Sequence, residues 1–104
     1  MSAQRHVVVI GAGPAGYVCA IRLAQLGQKV TVVEKEYLGG TCLNVGCIPS
    51  KAMIAAGALL EKVHKASAMG ITVEGLKLDL AKLVSWKGEI VNKLVSGVGG
   101  LLRN

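Results

Sequence analysis

The chain has 104 residues and a net charge of +6, from 12 Lys and Arg against 6 Asp and Glu. That length excludes more than one small domain. The basic residues are scattered, without a basic run or interleaved aromatics, which argues against a nucleic-acid partner and for a solvated basic surface.

No run approaches the ~18 apolar residues of a membrane span. Residues 1–6 lack a secretory pattern, because the apolar run that follows starts at Val7 and stops at Gly11. The expectation is no membrane association and a reducing, cytoplasmic setting. Phe is absent, and 14 glycines leave room for a large ligand to supply core volume.

In chain order, Val7-Val8-Val9-Ile10 is β-branched throughout and reads as a central parallel strand buried on both faces. Gly11-Ala12-Gly13 turns the chain, and Pro14 suits the first position of a helix. Residues 15–26 read as that helix, with Cys19 expected as a packed small hydrophobe. Gly27 suits its C-terminal cap. Residues 30–33 form a second strand ending at Glu34, completing a βαβ unit.

Residues 37–46 read as a loop. A second helix starts near Ile48 or Pro49 and runs to about Ala66. Ala52, Ala55, Ala56, Leu59, Val63 and Ala66 line one of its faces, and Glu61 can pair with Lys65. Gly70 breaks the chain, and residues 71–78 are a connection. Asp79 caps a third helix with a stripe of Leu83, Ile90, Val91, Leu94, Val95, Val98 and Leu102. Gly97, Gly99 and Gly100 weaken its end. The expected architecture is α/β, a Rossmann-like βαβ unit followed by two helices on an incomplete parallel sheet.

Two constellations carry chemistry. Gly11, Gly13 and Gly16 match G-x-G-x-x-G between a strand and a helix. The first glycine permits the tight turn, the second lets a pyrophosphate approach the backbone, and the third lets helix and strand pack closely. The helix N-terminus directs N–H groups and positive partial charge at the phosphates. Glu34 can accept from ribose hydroxyls, and its charge disfavours a 2′-phosphate, so NADP is not expected. The fingerprint itself does not separate FAD from NAD.

The second constellation is Cys42 and Cys47, with four residues between them and followed by a helix start at Pro49, Ser50 and Lys51. The pair admits a structural disulfide, half a zinc site, two reduced core cysteines or a redox disulfide. Zinc is poorly supported, because His6 and His64 are remote in sequence, and no metal is expected. A structural disulfide suits the expected compartment badly. A redox disulfide needs a distorted turn. Five steps of regular helix rise about 7.5 Å, whereas bridged Cα atoms lie at most about 6.8 Å apart. Asn44 and Gly46 tolerate unusual angles and could provide that turn. Cys47 lies at a helix N-terminus, where the dipole favours a thiolate, with Lys51 one turn on. Cys42, in the loop, is the better placed to meet a substrate thiol.

Taken together, Gly11-Ala12-Gly13-Pro14-Ala15-Gly16-Tyr17, Glu34-Lys35 and residues 39–51 closely resemble the N-terminal segment of the dihydrolipoamide dehydrogenases. These are a branch of the FAD-dependent pyridine nucleotide–disulfide oxidoreductases. Ile48-Pro49-Ser50-Lys51 leans to the lipoamide branch rather than to glutathione reductases, and mercuric reductases differ less.

The resemblance implies that residues 1–104 are the N-terminal part of an FAD-binding domain. Gly11, Gly13, Pro14, Ala15, Gly16, Glu34 and Lys35 would lie at the ADP half of FAD, with Gly40 and Thr41 along its phosphates and ribitol. Cys42 would be the interchange thiol, Cys47 the sulfur against the flavin, and Lys51 a neighbour of the reactive flavin nitrogen. NAD would be the co-substrate, the lipoyl group of a 2-oxo acid dehydrogenase complex the partner, and the complete enzyme a homodimer. Family members run to several hundred residues, with the NAD domain, the dimer-interface domain and a catalytic His-Glu pair lying further along. Neither His6 nor His64 matches that pair, so the 104 residues alone are expected to be inactive. The non-enzymatic alternative is a stand-alone nucleotide-binding or thiol-sensing module.

Overall fold

The computed structural model describes residues 3–104. Met1 and Ser2, which begin the segment read above as lacking a secretory pattern, lie outside them. The chain runs β1 (His6–Ile10), α1 (Pro14–Gln25), β2 (Lys29–Val33), α2 (Gly40–Asn44), α3 (Cys47–Lys65), a 3-10 turn (Ala66–Met69) and α4 (Leu80–Arg103). The two strands pair in parallel, with Val7 opposite Val30 and Ile10 opposite Val33. This is the expected α/β architecture, a βαβ unit followed by helices.

The βαβ unit is closed by hydrogen bonds at both ends. Pro14 opens α1, where its missing N–H leaves no intrahelical bond unmade. At the other end the Gly27 N–H donates to the Ala24 carbonyl at 2.9 Å and the Gln28 N–H to the Leu23 carbonyl at 3.1 Å. These are the two bonds of a Schellman cap. The chain then returns directly into β2.

The sheet is covered on one side only. Val7, Val9, Val30 and Val32 turn toward α1, while Val8 is 54% exposed, Ile10 87% and Val33 50%. The expectation of a strand buried on both faces is thus corrected: β1 contributes every second residue to a bare apolar face. Cys19 is also corrected. It is a free, exposed thiol on the outer face of α1, because only the side carrying Ala20 meets the sheet.

Among the described residues the buried hydrophobic core is Ala12, Ala20, Leu43, Ala52, Ala66 and Val98, with Gly39, Pro49 and Gly99 buried beside it. Such small side chains make a thin core. The accessible surface is 7770 Å², against roughly 5,500 Å² for a compact monomer of this mass. The radius of gyration is 20.0 Å, against about 13 Å for a compact domain of this length. The long dimension is 66 Å.

Asp79 caps α4, its carboxylate accepting from the Lys82 N–H at 3.0 Å. α4 stays helical to Arg103, through Gly97, Gly99 and Gly100. Gly99 permits close packing there, since a Cβ would lie 3.3 Å from Leu38 Cδ1. On α3, Ala52, Ala56 and Val63 are covered as expected, as is Ala66 at the start of the 3-10 turn, whereas Ala55 and Leu59 face outward. Glu61 and Lys65 pair at 2.5 Å, an exposed contact worth a few tenths of a kcal/mol.

Residues Gly40–Met69 include an 18-residue window of mean hydropathy 1.4, apolar enough by length and composition to cross a membrane. That qualifies the expectation of no such stretch. The average is raised by scattered Ala, Ile, Val and Leu rather than by an unbroken run. The segment is interrupted at Val45–Gly46 and cross-linked across that break.

Candidate active site

Two backbone turns meet to form the site. The first follows β1. Gly11 has φ +101°, and its N–H donates to the Val33 carbonyl at 2.7 Å. A side chain at Gly16 would collide with the Gly11 carbonyl, so this glycine allows α1 to lie against the strand end, the role the fingerprint assigns it. Glu34 reaches across from the end of β2, and its Oε2 accepts from the Ala12 N–H at 2.6 Å. Its Oε1 accepts from the Glu36 N–H at 3.3 Å. The Ala12 hydrogen bond, followed by that from Glu36, holds the Glu34 carboxyl below its usual range.

The second turn opens α2, and it departs from the sequence reading. Residues 40–44 are a short helix rather than loop. Asn44 ends it in helical conformation, and its side-chain amide donates to the Leu38 and Gly40 carbonyls, both at 2.9 Å. The left-handed positions fall at Gly39 and Gly40, not at Asn44 or Gly46. Gly46, at φ −117° and ψ −109°, does depart from regular helix and strand angles, and it also matters for space, because a Cβ there would sit 3.0 Å from the Thr41 carbonyl oxygen and 3.3 Å from Cys42 Cα.

That close approach makes the disulfide possible. Cys42 lies in α2 and Cys47 is the first residue of α3. They are bonded through Sγ, with Cα atoms 4.6 Å apart, well short of the rise of five regular helical steps. Helix, break and new helix supply the distorted turn the spacing required. Behind the break, the Gly46 carbonyl accepts from the Ser50 N–H at 3.0 Å and from Ser50 Oγ at 2.5 Å, fixing the first turn of α3. Cys47 is exposed and Cys42 half-buried, so exposure ranks the two sulfurs in the opposite order from the loop argument. Lys51 is exposed one turn beyond Cys47.

The turns touch through their backbones. A Cβ on Gly40 would lie 2.7 Å from Gly13 Cα. The Gly39 N–H donates to the Ala12 carbonyl at 2.8 Å. The structure thereby brings Gly11, Gly13, Pro14, Gly16, Glu34, Gly40 and the two cysteines into one end of the fold, with Ala15, Lys35 and Thr41 exposed at its margin. Sequence reasoning missed Ala12 and Gly39 as the tie between the turns; the available signal was Ala12's place between two fingerprint glycines. It also missed Asn44 as a pin for α2. A cavity of about 380 Å³ lies between α1, β2 and the end of α4, lined by residues such as Ala20, Val30 and Leu102, and reaches Leu38 just before the second turn.

The chain spans about a fifth of the length of the curated relatives it matches. It is 62% identical to a dihydrolipoyl dehydrogenase of Bacillus subtilis over 100 residues, covering 96% of this chain and 21% of that protein. It is 56% identical to the Geobacillus stearothermophilus enzyme of that name, with the same coverage. A solved structure described as the Cu(II) complex of the HOCl-induced flavoprotein disulfide reductase RclA from Escherichia coli is similar, with a TM-score of 0.67 and 32% identity. The match covers 95% of this chain and 19% of that one. The family model for pyridine nucleotide-disulphide oxidoreductase matches residues 5–104. With a bonded cysteine pair set against a glycine turn and nearly the whole chain matched, this chain belongs to the pyridine nucleotide-disulphide oxidoreductase family.

Proposed function

We propose that this chain is the FAD- and disulfide-bearing part of a dihydrolipoamide dehydrogenase, an enzyme that oxidises dihydrolipoamide and reduces NAD. The observation that carries the reading is the Cys42–Cys47 disulfide at the start of α3, joined by backbone contact to the glycine turn. Identities of 62% and 56% to dihydrolipoyl dehydrogenases, against 32% to another disulfide reductase, favour the lipoamide substrate.

The residues fit a dinucleotide. No side chain projects from Gly11, Gly13 or Gly40, and the α1 N-terminus offers N–H groups and positive partial charge to a pyrophosphate. Gly11, Gly13, Pro14, Ala15 and Gly16 would hold the phosphates, Glu34 and Lys35 the adenosine side, and Gly40 and Thr41 the stretch toward the flavin ring. FAD would supply a two-electron carrier between the cysteine pair and NAD.

The chain's own residues perform the thiol chemistry. A lipoyl thiolate attacks Cys42 Sγ, forming a mixed disulfide and releasing Cys47 as a thiolate. The second lipoyl thiolate then attacks the other lipoyl sulfur, the one bonded to Cys42, closing the lipoyl ring and releasing Cys42 as a thiolate. The substrate dithiol loses two electrons and two protons, and the cysteine pair gains the electrons. Cys47 suits the leaving position because the α3 N-terminus and Lys51 favour its negative charge. This placement rests on charge stabilisation rather than on exposure.

The remaining parts of the reading are the lipoyl group of a 2-oxo acid dehydrogenase complex as partner, a homodimer and a cytoplasmic setting. Residues 1–104 are read as the N-terminal part of the FAD domain.

The test is anaerobic reduction by dihydrolipoamide of the flavin-loaded protein carrying this segment. The reading expects two electrons taken up by the cysteine pair and loss of the reaction in Cys42→Ser. Equal rates in wild type and Cys42→Ser would contradict it.

A further inference from the structure

Ala12 is fully buried, between the two glycines that open the fingerprint. Both its polar backbone groups are engaged by other segments. Its N–H donates to Glu34 Oε2 at 2.6 Å, and its carbonyl accepts from the Gly39 N–H at 2.8 Å. On one side the turn is therefore fastened to the end of β2. On the other it fastens the residue from which the disulfide helix α2 starts.

A carboxylate beside a phosphate cradle is electrostatically unfavourable for an anion. A ribose hydroxyl gives such a group one purpose, and the hydrogen bond to Ala12 gives it another that needs no ligand. The Ala12 N–H faces the carboxylate, so it is not a free phosphate donor. Phosphate contacts would fall to later N–H groups at the start of α1, whose placement depends on the conformation of this turn.

We propose that Glu34 is a positioning residue: through Ala12 it locks the glycine turn in its phosphate-receiving shape and ties that turn to the start of α2, independently of any contact with a ribose. The inference rests on the dinucleotide reading of the turn and adds a role that the ribose contact does not include.

The experiment separates the two roles with two probes, ADP and 2′,3′-dideoxy-ADP, titrated calorimetrically into the apoprotein. The dideoxy probe has no hydroxyl for Glu34 to hold. If the carboxylate served only the ribose, Glu34→Ala would leave dideoxy-ADP binding unchanged or, by removing a negative charge, tighten it. The lock requires the opposite sign. Losing a charge-assisted hydrogen bond should weaken dideoxy-ADP about tenfold. Glu34→Gln, which keeps a neutral acceptor, should weaken it about threefold.

Unchanged or tighter dideoxy-ADP binding in both variants, with ADP weakened, would overturn the lock and leave the nucleotide site standing. Failure of the wild-type protein to bind either probe would instead overturn the dinucleotide reading. Should Glu34→Ala not fold, Glu34→Gln carries the same comparison. Amide hydrogen exchange in the wild-type apoprotein gives a second readout. Ala12 and Gly39 should exchange slowly, and Ala12 should exchange faster in Glu34→Gln. Fast exchange at Ala12 in the folded wild type would also overturn the proposal.

Discussion

Gly40 stands against Gly13 with no room for a side chain between them: a Cβ built on Gly40 lies 2.7 Å from Gly13 Cα and 3.4 Å from Gly13 N. The glycine turn after β1 and the helix that carries Cys42 are thus joined by main chain, not by side chains. Little adjustment is available at such a contact, because neither partner has a rotamer to change. The two halves of the site, one suited to a pyrophosphate and one to thiol exchange, are held at a fixed separation.

That contact makes glycine substitutions sharply unequal. Gly40→Ala combines a left-handed backbone, φ +62°, with a backbone clash and should cost at least about 2 kcal/mol. Gly16→Ala, directed into the Gly11 carbonyl, should cost about 1–3 kcal/mol. Gly57→Ala, inside α3 with open space around it, should stabilise by about 0.5–1 kcal/mol. Denaturant unfolding of the three variants checks the order, and a Gly40→Ala protein as stable as wild type would refute the close contact.

Thiol reactivity distinguishes the three cysteines. Cys19 is exposed and free, while Cys42 and Cys47 are bonded. Under native conditions a thiol reagent should label one cysteine before mild reduction and three after it. Three labelled cysteines in the unreduced folded protein would show that the bond does not form.

Glu34 should make stability depend on acid pH. Its carboxyl is held below the usual value of 4.5, first by the Ala12 N–H. A group whose folded pKa is depressed contributes stability that is fully present above its unfolded pKa and is lost as pH falls through the folded value. The stability difference between wild type and Glu34→Gln should therefore be constant from neutral pH to about pH 5.5. It should shrink at lower pH and level off below the folded pKa. A difference that grew on acidification would carry the wrong sign. The carboxyl is only half-buried, so a modest difference is expected.

Much of this site is legible in the sequence. The β-branched run from Val7, the three fingerprint glycines and the acid at Glu34 determine strand, turn and helix by local rules, and the structure follows them. The cysteine spacing likewise demanded a broken helix. What stayed hidden depends on neighbours. That Gly46 serves space as well as angle is decided by how near Thr41 comes. Asn44 finds acceptors at Leu38 and Gly40 only after α2 has coiled. The packing of α1 and α3 was misread at Cys19, Ala55 and Leu59 because apolar residues surround both helices, and composition does not say which side meets the fold. The bare face at Val8, Ile10 and Val33 has the same origin, since a continuous apolar run fits a strand covered on both sides.

Turnover should be absent from the 104-residue segment by itself, even with FAD supplied. Its residues contain no second dinucleotide fingerprint for NAD, and neither His6 nor His64 lies in a His-Glu motif. Lost general acid–base assistance alone is worth roughly 10²–10⁴-fold. Steady-state assay of the purified segment beside a complete enzyme checks this, and comparable rates would contradict the assignment of those functions to other parts of the relatives.

The proposed function turns on an unequal redox pair at Cys42 and Cys47, with Cys47 facing the flavin. It is tested most directly by absorbance of the flavin-loaded protein: the wild type after anaerobic two-electron reduction of its disulfide, and Cys42→Ser and Cys47→Ser with the flavin left oxidised, since neither variant has a disulfide to take up the electrons. A thiolate against an oxidised flavin gives a long-wavelength charge-transfer band. Because the α3 N-terminus and Lys51 favour charge at Cys47, the band should persist in Cys42→Ser and vanish in Cys47→Ser. A band that vanished in Cys42→Ser and persisted in Cys47→Ser would reverse the two roles, and a band present in neither the wild type nor either variant would contradict the redox reading of the pair.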